Sequence, residues 1–192
     1  MKAACINGSP RKNRSVSLKL LQALKERLPG CEVVHGWDKS CDVLIIAFPL
    51  YVDGIPSNLL RELVAHEQDM PMGGRVYAVA NNGFYEGEQN ATAIAMLRHW
   101  SERAGLAWGM GVGVGAGSML ESGPVPVGRG PLKSLGRALD ALAAHILAGE
   151  SGEDIYTRPD MPRLLYRLGG ELSFRAQAKK HGLSRGDIER RL

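Results

Sequence analysis

The segment Asn7-Gly8-Ser9-Pro10-Arg11-Lys12-Asn13-Arg14-Ser15-Val16-Ser17 gathers small residues, hydroxyls and two arginines between an apolar run and a helical pattern. Ala3 to Ile6 reads as a buried strand, and Leu18, Leu20, Leu21, Leu24 and Leu28 recur as on one face of a helix. The unpaired N–H groups at a helix start, together with the positive end of its dipole, favour an anion. Serine hydroxyls and Arg11 would add charge-assisted hydrogen bonds to a phosphate. The segment has neither the Gly-Lys-Ser/Thr of a nucleotide P-loop nor the G-x-G-x-x-G of a dinucleotide fold. It looks like a monophosphate loop. Taken alone, it is equally well an ordinary solvated strand-to-helix turn.

Three further segments could add to that chemistry. Phe48-Pro49-Leu50-Tyr51-Val52-Asp53-Gly54-Ile55-Pro56 is a loop stiffened by prolines around an aromatic, able to hold a planar ring by stacking. Asn81-Asn82-Gly83-Phe84-Tyr85-Glu86 holds residues that tolerate left-handed backbone, so its N–H groups can point at a ligand. Gly109, Gly111, Gly113, Gly115 and Gly117 alternate, which puts them on one face of a strand that something must approach closely. A tightly packed neighbour explains that face structurally. A passing ligand explains it functionally, above all at Gly115 and Gly117. Each segment alone is also an ordinary connection.

These segments need a scaffold that brings them together. Strands are expected near 3–7, 31–35, 42–48, 75–81 and 106–115, and helices near 15–28, 54–67, 88–104 and 131–148. The continuous apolar run Val43 to Phe48 suits a central parallel strand covered on both faces. Alternating elements give a parallel sheet with right-handed crossovers, here the doubly wound order 2-1-3-4-5 of an α/β fold. Such sheets bind ligands beyond the carboxyl ends of their strands. Residues 35–41 are too few for a second crossover helix, which is expected to be shortened or missing. Part of one sheet face then needs a cover, from a partner subunit or from the C-terminal arm.

Residues 1–150 form the expected sheet domain, and residues 151–192 a C-terminal helical extension. Leu164, Leu165, Leu168 and Leu172 recur at helical spacing; Gly169-Gly170 weakens or breaks that helix, and Ser184 is placed to cap a shorter one. Residues 158–192 carry nine Lys/Arg against four Asp/Glu, so the formal charge of +4 belongs to the tail. The tail lacks the interleaved aromatics of a nucleic-acid surface, and a solvated helical face is expected. Cys5, Cys31 and Cys41 form no C-x-x-C pair, which argues for reduced thiols, with Cys5 and Cys31 as small buried hydrophobes. With neither a leader-like start nor a long apolar stretch, a cytoplasmic protein without a membrane span is expected.

Taken together, the motifs resemble the flavodoxin-like NAD(P)H-dependent FMN reductases and oxidoreductases over about residues 3–148. The resemblance implies a flavodoxin-like fold with FMN as cofactor and NAD(P)H as co-substrate. It implies that Ser9, Arg11, Asn13, Ser15, Val16 and Ser17 surround the phosphate, although family members often have Asn or Thr where Val16 stands. Pro49, Leu50, Tyr51 and Val52 would line one edge of the ring, with Asn82, Gly83, Phe84, Glu86 and Gly115 on the other side. The iron–sulfur branch carries a cysteine cluster where this chain is shortened, so no cluster is expected. Electrons would pass to a quinone, a nitro or azo compound, or free flavin. A homodimer is expected, since flavin sites of this family often lie at a dimer interface. A non-enzymatic electron carrier, or a degenerate member acting as a binding partner, would keep the same fold. No hydrolase motif is present, and no metal site is expected.

Overall fold

In the computed structural model, which describes residues 1–68, 70, 73–122, 126–184 and 186–187, the apolar run becomes β3 (Val43–Pro49), buried from Val43 to Phe48. It pairs in parallel with β1 (Lys2–Asn7) and β4 (Arg75–Asn81); β2 (Glu32–His35) lies outside β1, and β5 (Ala107–Val114) outside β4. The order 2-1-3-4-5 is therefore as expected. A sixth parallel strand, β6 (Ile155–Thr157), adds beyond β5, so the sheet has six strands rather than five.

Helices α1 (Val16–Lys25) and α5 (Lys133–Ala148) cover one face, where Leu20, Leu24, Leu139, Leu142 and Ile146 meet Ile45, Val79 and Val112. Helices α2 (Ser57–His66) and α3 (Ala91–Arg103) cover the other, where Leu59, Leu63, Ile94 and Leu97 meet Leu44, Ile46, Phe48 and Val76. A single turn, α4 (Met119–Ser122), follows β5. All three cysteines are free; burial pushes the Cys5 thiol up to about 12, as suits a small core side chain.

No helix joins β2 to β3. Trp37, from that short crossover, takes over part of the cover. Its ring stacks on His66 at 4.5 Å, meets Trp100 edge-on at 6.0 Å and donates Nε1–H to Glu62 at 3.0 Å. One large aromatic thus spans the place of a missing helix turn against α2 and α3.

The glycine stripe has a structural cause. β5 carries a bulge opposite Val76 and Tyr77, and the bulge turns Gly109 toward the Tyr77 ring, away from the face that Gly111, Gly113 and Gly115 share. A Cβ on Gly109 would lie 2.4 Å from that ring, whose hydroxyl donates to the carbonyls of His145 and Glu150. On the other face, Gly87 sits so close that its Cβ would meet the carbonyl oxygens of Gly113 and Thr157 at 2.4 Å. The expectation of one uniform glycine face therefore holds for the end of β5 and fails at Gly109.

The chain divides into two compact units, Met1–Asp160 and Met161–Leu192. The second unit is led by α6 (Arg163–Lys180), which runs through Gly169 and Gly170 without a break and buries none of its residues. Two glycines cost roughly 2 kcal/mol of helix propensity relative to alanine, and the better helix formers around them outweigh that here. Ser184 Oγ accepts from Asp187 N at 3.3 Å, a capping contact; most of the short helix expected after it lies outside the described residues. Among the described residues, no helix is long and apolar enough to cross a membrane.

Candidate functional site

The carboxyl ends of β1, β3, β4 and β5 open onto one cleft of about 210 Å³. Its first wall is the turn after β1. Gly8 donates its N–H to Ala47 O at 2.8 Å, and a Cβ there would lie 2.5 Å from the Leu59 side chain, so only glycine lets α2 pack this closely. Asn7 shapes the turn: Oδ1 accepts from Ser9 N at 3.1 Å, and Nδ2 donates to Lys12 O at 3.0 Å and Ser15 Oγ at 3.2 Å. Ser9 Oγ accepts from Arg11 N at 3.3 Å. Lys12 takes a left-handed φ of 48°, and the chain then enters α1.

Ser15 is the N-cap of α1, accepting from Leu18 N at 3.2 Å and donating to Lys12 O at 2.7 Å. The N–H groups of Val16 and Ser17, ahead of the first intrahelical bond, have no helical acceptor, and no acidic residue stands in that turn. Ser9, Ser15 and Ser17 are buried, and Ser17 Oγ donates to Asn81 Oδ1 at 2.8 Å. Arg11 is exposed, with its side chain 63% accessible, and pairs with Glu121 at 2.8 Å. Ser9, Arg11, Ser15, Val16 and Ser17 all line the cleft. Asn13 does not; it sits exposed in the 3₁₀ turn Lys12–Arg14.

Pro49, Leu50 and Tyr51 form the second wall. Leu50 N bonds Asn81 O at 2.8 Å, and Tyr51 and Gly54 exchange two backbone bonds of 3.1 and 3.0 Å around a tight turn. That turn puts Val52 and Asp53 at φ 48° and 55° and points Val52 wholly into solvent, out of the lining. A β-branched side chain in the left-handed region is strained by about 1 kcal/mol or more, and asparagine tolerates it far better. Val52→Asn should therefore raise stability by ~1 kcal/mol, read as a rise in melting temperature of roughly 2–4 °C for a chain of this size. An unchanged or lower value would show that the turn carries no such strain.

Asn81, Asn82 and Gly83 close the third side. The Asn82 side chain folds its own loop, accepting from Phe84 N at 2.9 Å and donating to Glu86 O at 3.1 Å. The loop also ties down the chain after β5, since Ala116 N reaches Phe84 O at 2.5 Å and Gly117 N reaches Asn82 O at 2.8 Å. Phe84 stands exposed at 57%, and Glu86 is outside the lining. Gly115 is turned away: its Cβ position lies 2.4 Å from Tyr85 O and 2.8 Å from Thr157 O, against the loop and β6.

Two lining residues, Ser118 and Glu121, lie outside every segment that the sequence singled out. Asn81 and Gly117, which also line it, belong to the segments quoted above. Ser118 and Glu121 lie at and in a four-residue helix too short to show a period. Among the described residues, no group of His, Cys, Asp or Glu could hold a metal ion.

No protein-family model matches the chain, and no curated protein matches it. Solved structures do. An NADH:FMN oxidoreductase in its apo form aligns with a TM-score of 0.58 at 17% identity, over 79% of this chain and 91% of that one. A flavodoxin of Streptococcus pneumoniae TIGR4 aligns at 0.55 and 15%, over 78% and 99%. Rubredoxin oxygen:oxidoreductase of Desulfovibrio gigas aligns at 0.55 and 18%, over 77% of this chain; the match spans only 35% of that protein. Identities this low establish likeness of fold, and the fold of this chain is the flavodoxin-like doubly wound sheet.

Proposed function

We propose that the cleft binds FMN and that the chain is an FMN-dependent oxidoreductase, passing electrons from NAD(P)H to a quinone, a nitro or azo compound, or free flavin. One observation carries the reading: buried hydroxyls at the α1 N-terminus share a cleft with a stiff aromatic wall and an Asn-Gly loop. The donor set fits the group. The Val16 and Ser17 N–H groups and the Ser9 hydroxyl would hold a phosphate dianion, beside an Arg11 that is paired with Glu121. Pro49, Leu50 and Tyr51 would flank a planar ring on one side, with Asn82 and Gly83 on the other. Gly117 keeps the floor open, because a Cβ there would stand 2.9 Å from Asn82 O and have to displace backbone.

Bound FMN would supply the hydride and one-electron chemistry. The residues of the chain bind and orient it and keep water from the buried end at Ser9, Ser15 and Ser17; none is assigned a proton transfer. The neighbouring fold named as an NADH:FMN oxidoreductase supports the enzyme reading. A homodimer is part of the proposal: Tyr51, Val52 and Phe84 expose apolar surface around the cleft that a second copy could cover.

The test is the visible spectrum of the purified chain with added FMN, then NADPH, alongside its mass by light scattering. Flavin bands that perturb on binding and bleach with NADPH are the expected result. Binding without bleaching would favour an electron carrier, and no perturbation at all would remove FMN from the reading.

A further inference from the structure

Among the described residues, Arg11 and Glu121 are the only ionised side chains that line the cleft, and they are spent on each other. Arg11 Nη1 lies 2.8 Å from Glu121 Oε1. The acid is held there by a built turn. Ala116 takes a left-handed φ of 54°, Met119 N and Leu120 N bond back to the carbonyls of Ala116 and Gly117, and Glu121 N bonds Ser118 O at 3.0 Å. Leu120 is buried in the core under α1, and Lys19 of α1 donates to its carbonyl at 2.5 Å. The backbone that carries Glu121 is thus pinned to the helix whose N-terminus faces the cleft.

Resting on the flavin reading above, we infer that Glu121 is a selectivity residue: an internal anion that neutralises Arg11 and suppresses the site's preference for phosphorylated over unphosphorylated flavin. A phosphate entering beside Ser9 and Ser15 meets a guanidinium already paired and a carboxylate of its own sign. Either Arg11 leaves Glu121, or the phosphate relies on the α1 N–H groups and hydroxyls alone. In both cases the charge-assisted contribution of Arg11 is largely cancelled, because two opposite charges at contact present almost no net field to a third. The isoalloxazine ring and ribityl chain are neutral, so Glu121 bears on the phosphate and leaves riboflavin nearly untouched. The preference for FMN over riboflavin is then only what the α1 N–H groups and the Ser9 hydroxyl supply.

The experiment is a fluorescence titration of FMN and of riboflavin into the full chain and into Glu121→Gln, Arg11→Met and the double variant, at low salt. Thermal melts are recorded for each. Glu121→Gln should tighten FMN about tenfold and change riboflavin by less than about twofold. Arg11→Met should weaken FMN by less than about threefold in the parent and about tenfold in the Glu121→Gln background, since only there is the guanidinium free for the phosphate. Equal shifts for both flavins, or no change in their ratio, would overturn the role of Glu121 while leaving the flavin reading intact. Failure of the parent to bind either flavin would remove the reading and the inference together. Were Glu121→Gln to melt early, Glu121→Ala read by the same FMN-to-riboflavin ratio decides, because a loosened fold weakens both ligands alike.

Discussion

Asp154→Ala should lower the stability of the body by ~3 kcal/mol, seen as a fall in the urea midpoint at unchanged slope. The carboxylate is only 10% exposed. Its Oδ1 accepts from Gly111 N at 2.8 Å and Trp108 Nε1 at 3.2 Å, and its Oδ2 pairs with Arg98 Nη2. The Arg98 guanidinium in turn lies over the Trp108 ring, 5.3 Å from its centroid. One side chain thus ties α3, β5 and the entry to β6 together. Removing it strands two donors and leaves the arginine unpaired, with its Nε already buried and without a partner. Arg98 is 41% exposed and can turn toward water, which keeps the loss at the lower end of what breaking a buried pair brings. Asp154→Asn keeps one acceptor and the shape, so about half the loss is expected. A loss below ~1 kcal/mol for the alanine variant would mean that β6 is held by its backbone pairing with β5 alone.

That tie explains why β6 could not be read from the sequence. Ile155-Tyr156-Thr157 is too short to show alternation and follows an acidic, glycine-containing loop. It is a strand because of distant residues: Gly113 and Gly115 lack side chains, Gly87 allows close approach, and Asp154 anchors the entry. The opposite holds for β3, whose apolar run from Val43 to Phe48 contains its own reason to be central. The Ser9 to Ser17 turn was also legible, since its order is set by local contacts among Asn7, Ser9, Lys12 and Ser15. Val52 was expected at a ring edge, but only the turn geometry that faces it outward decides its direction, and valine is a poor signal for a left-handed position. Glu121 reaches the cleft through a single helical turn stabilised by Lys19, more than a hundred residues away in the chain. Such a contact leaves no periodicity to find.

Ser9→Asp should reduce FMN affinity by about a hundredfold while leaving riboflavin binding nearly unchanged and the chain folded. The substitution is chosen because aspartate can keep the bond that serine makes. Ser9 Oγ accepts from Arg11 N two residues on, at 3.3 Å, and an aspartate carboxylate accepts in the same geometry. The carboxylate also stands near the positive end of α1, where negative charge is favourable. The helix N-terminus offsets part of the cost of a charge at this buried position, and a loss of about 1–2 kcal/mol by urea unfolding is expected. A phosphate dianion in the same corner would meet a fixed negative charge in a partly desolvated site, and the α1 N–H groups would already be satisfied. About 2.7 kcal/mol of lost binding, the equivalent of a hundredfold, is the expected scale for one buried like charge. Riboflavin, with no phosphate, should bind within about threefold of the parent. If Ser9→Asp weakens both flavins equally while the chain stays folded, the phosphate does not lie at the α1 N-terminus, and any flavin in this cleft binds in another orientation.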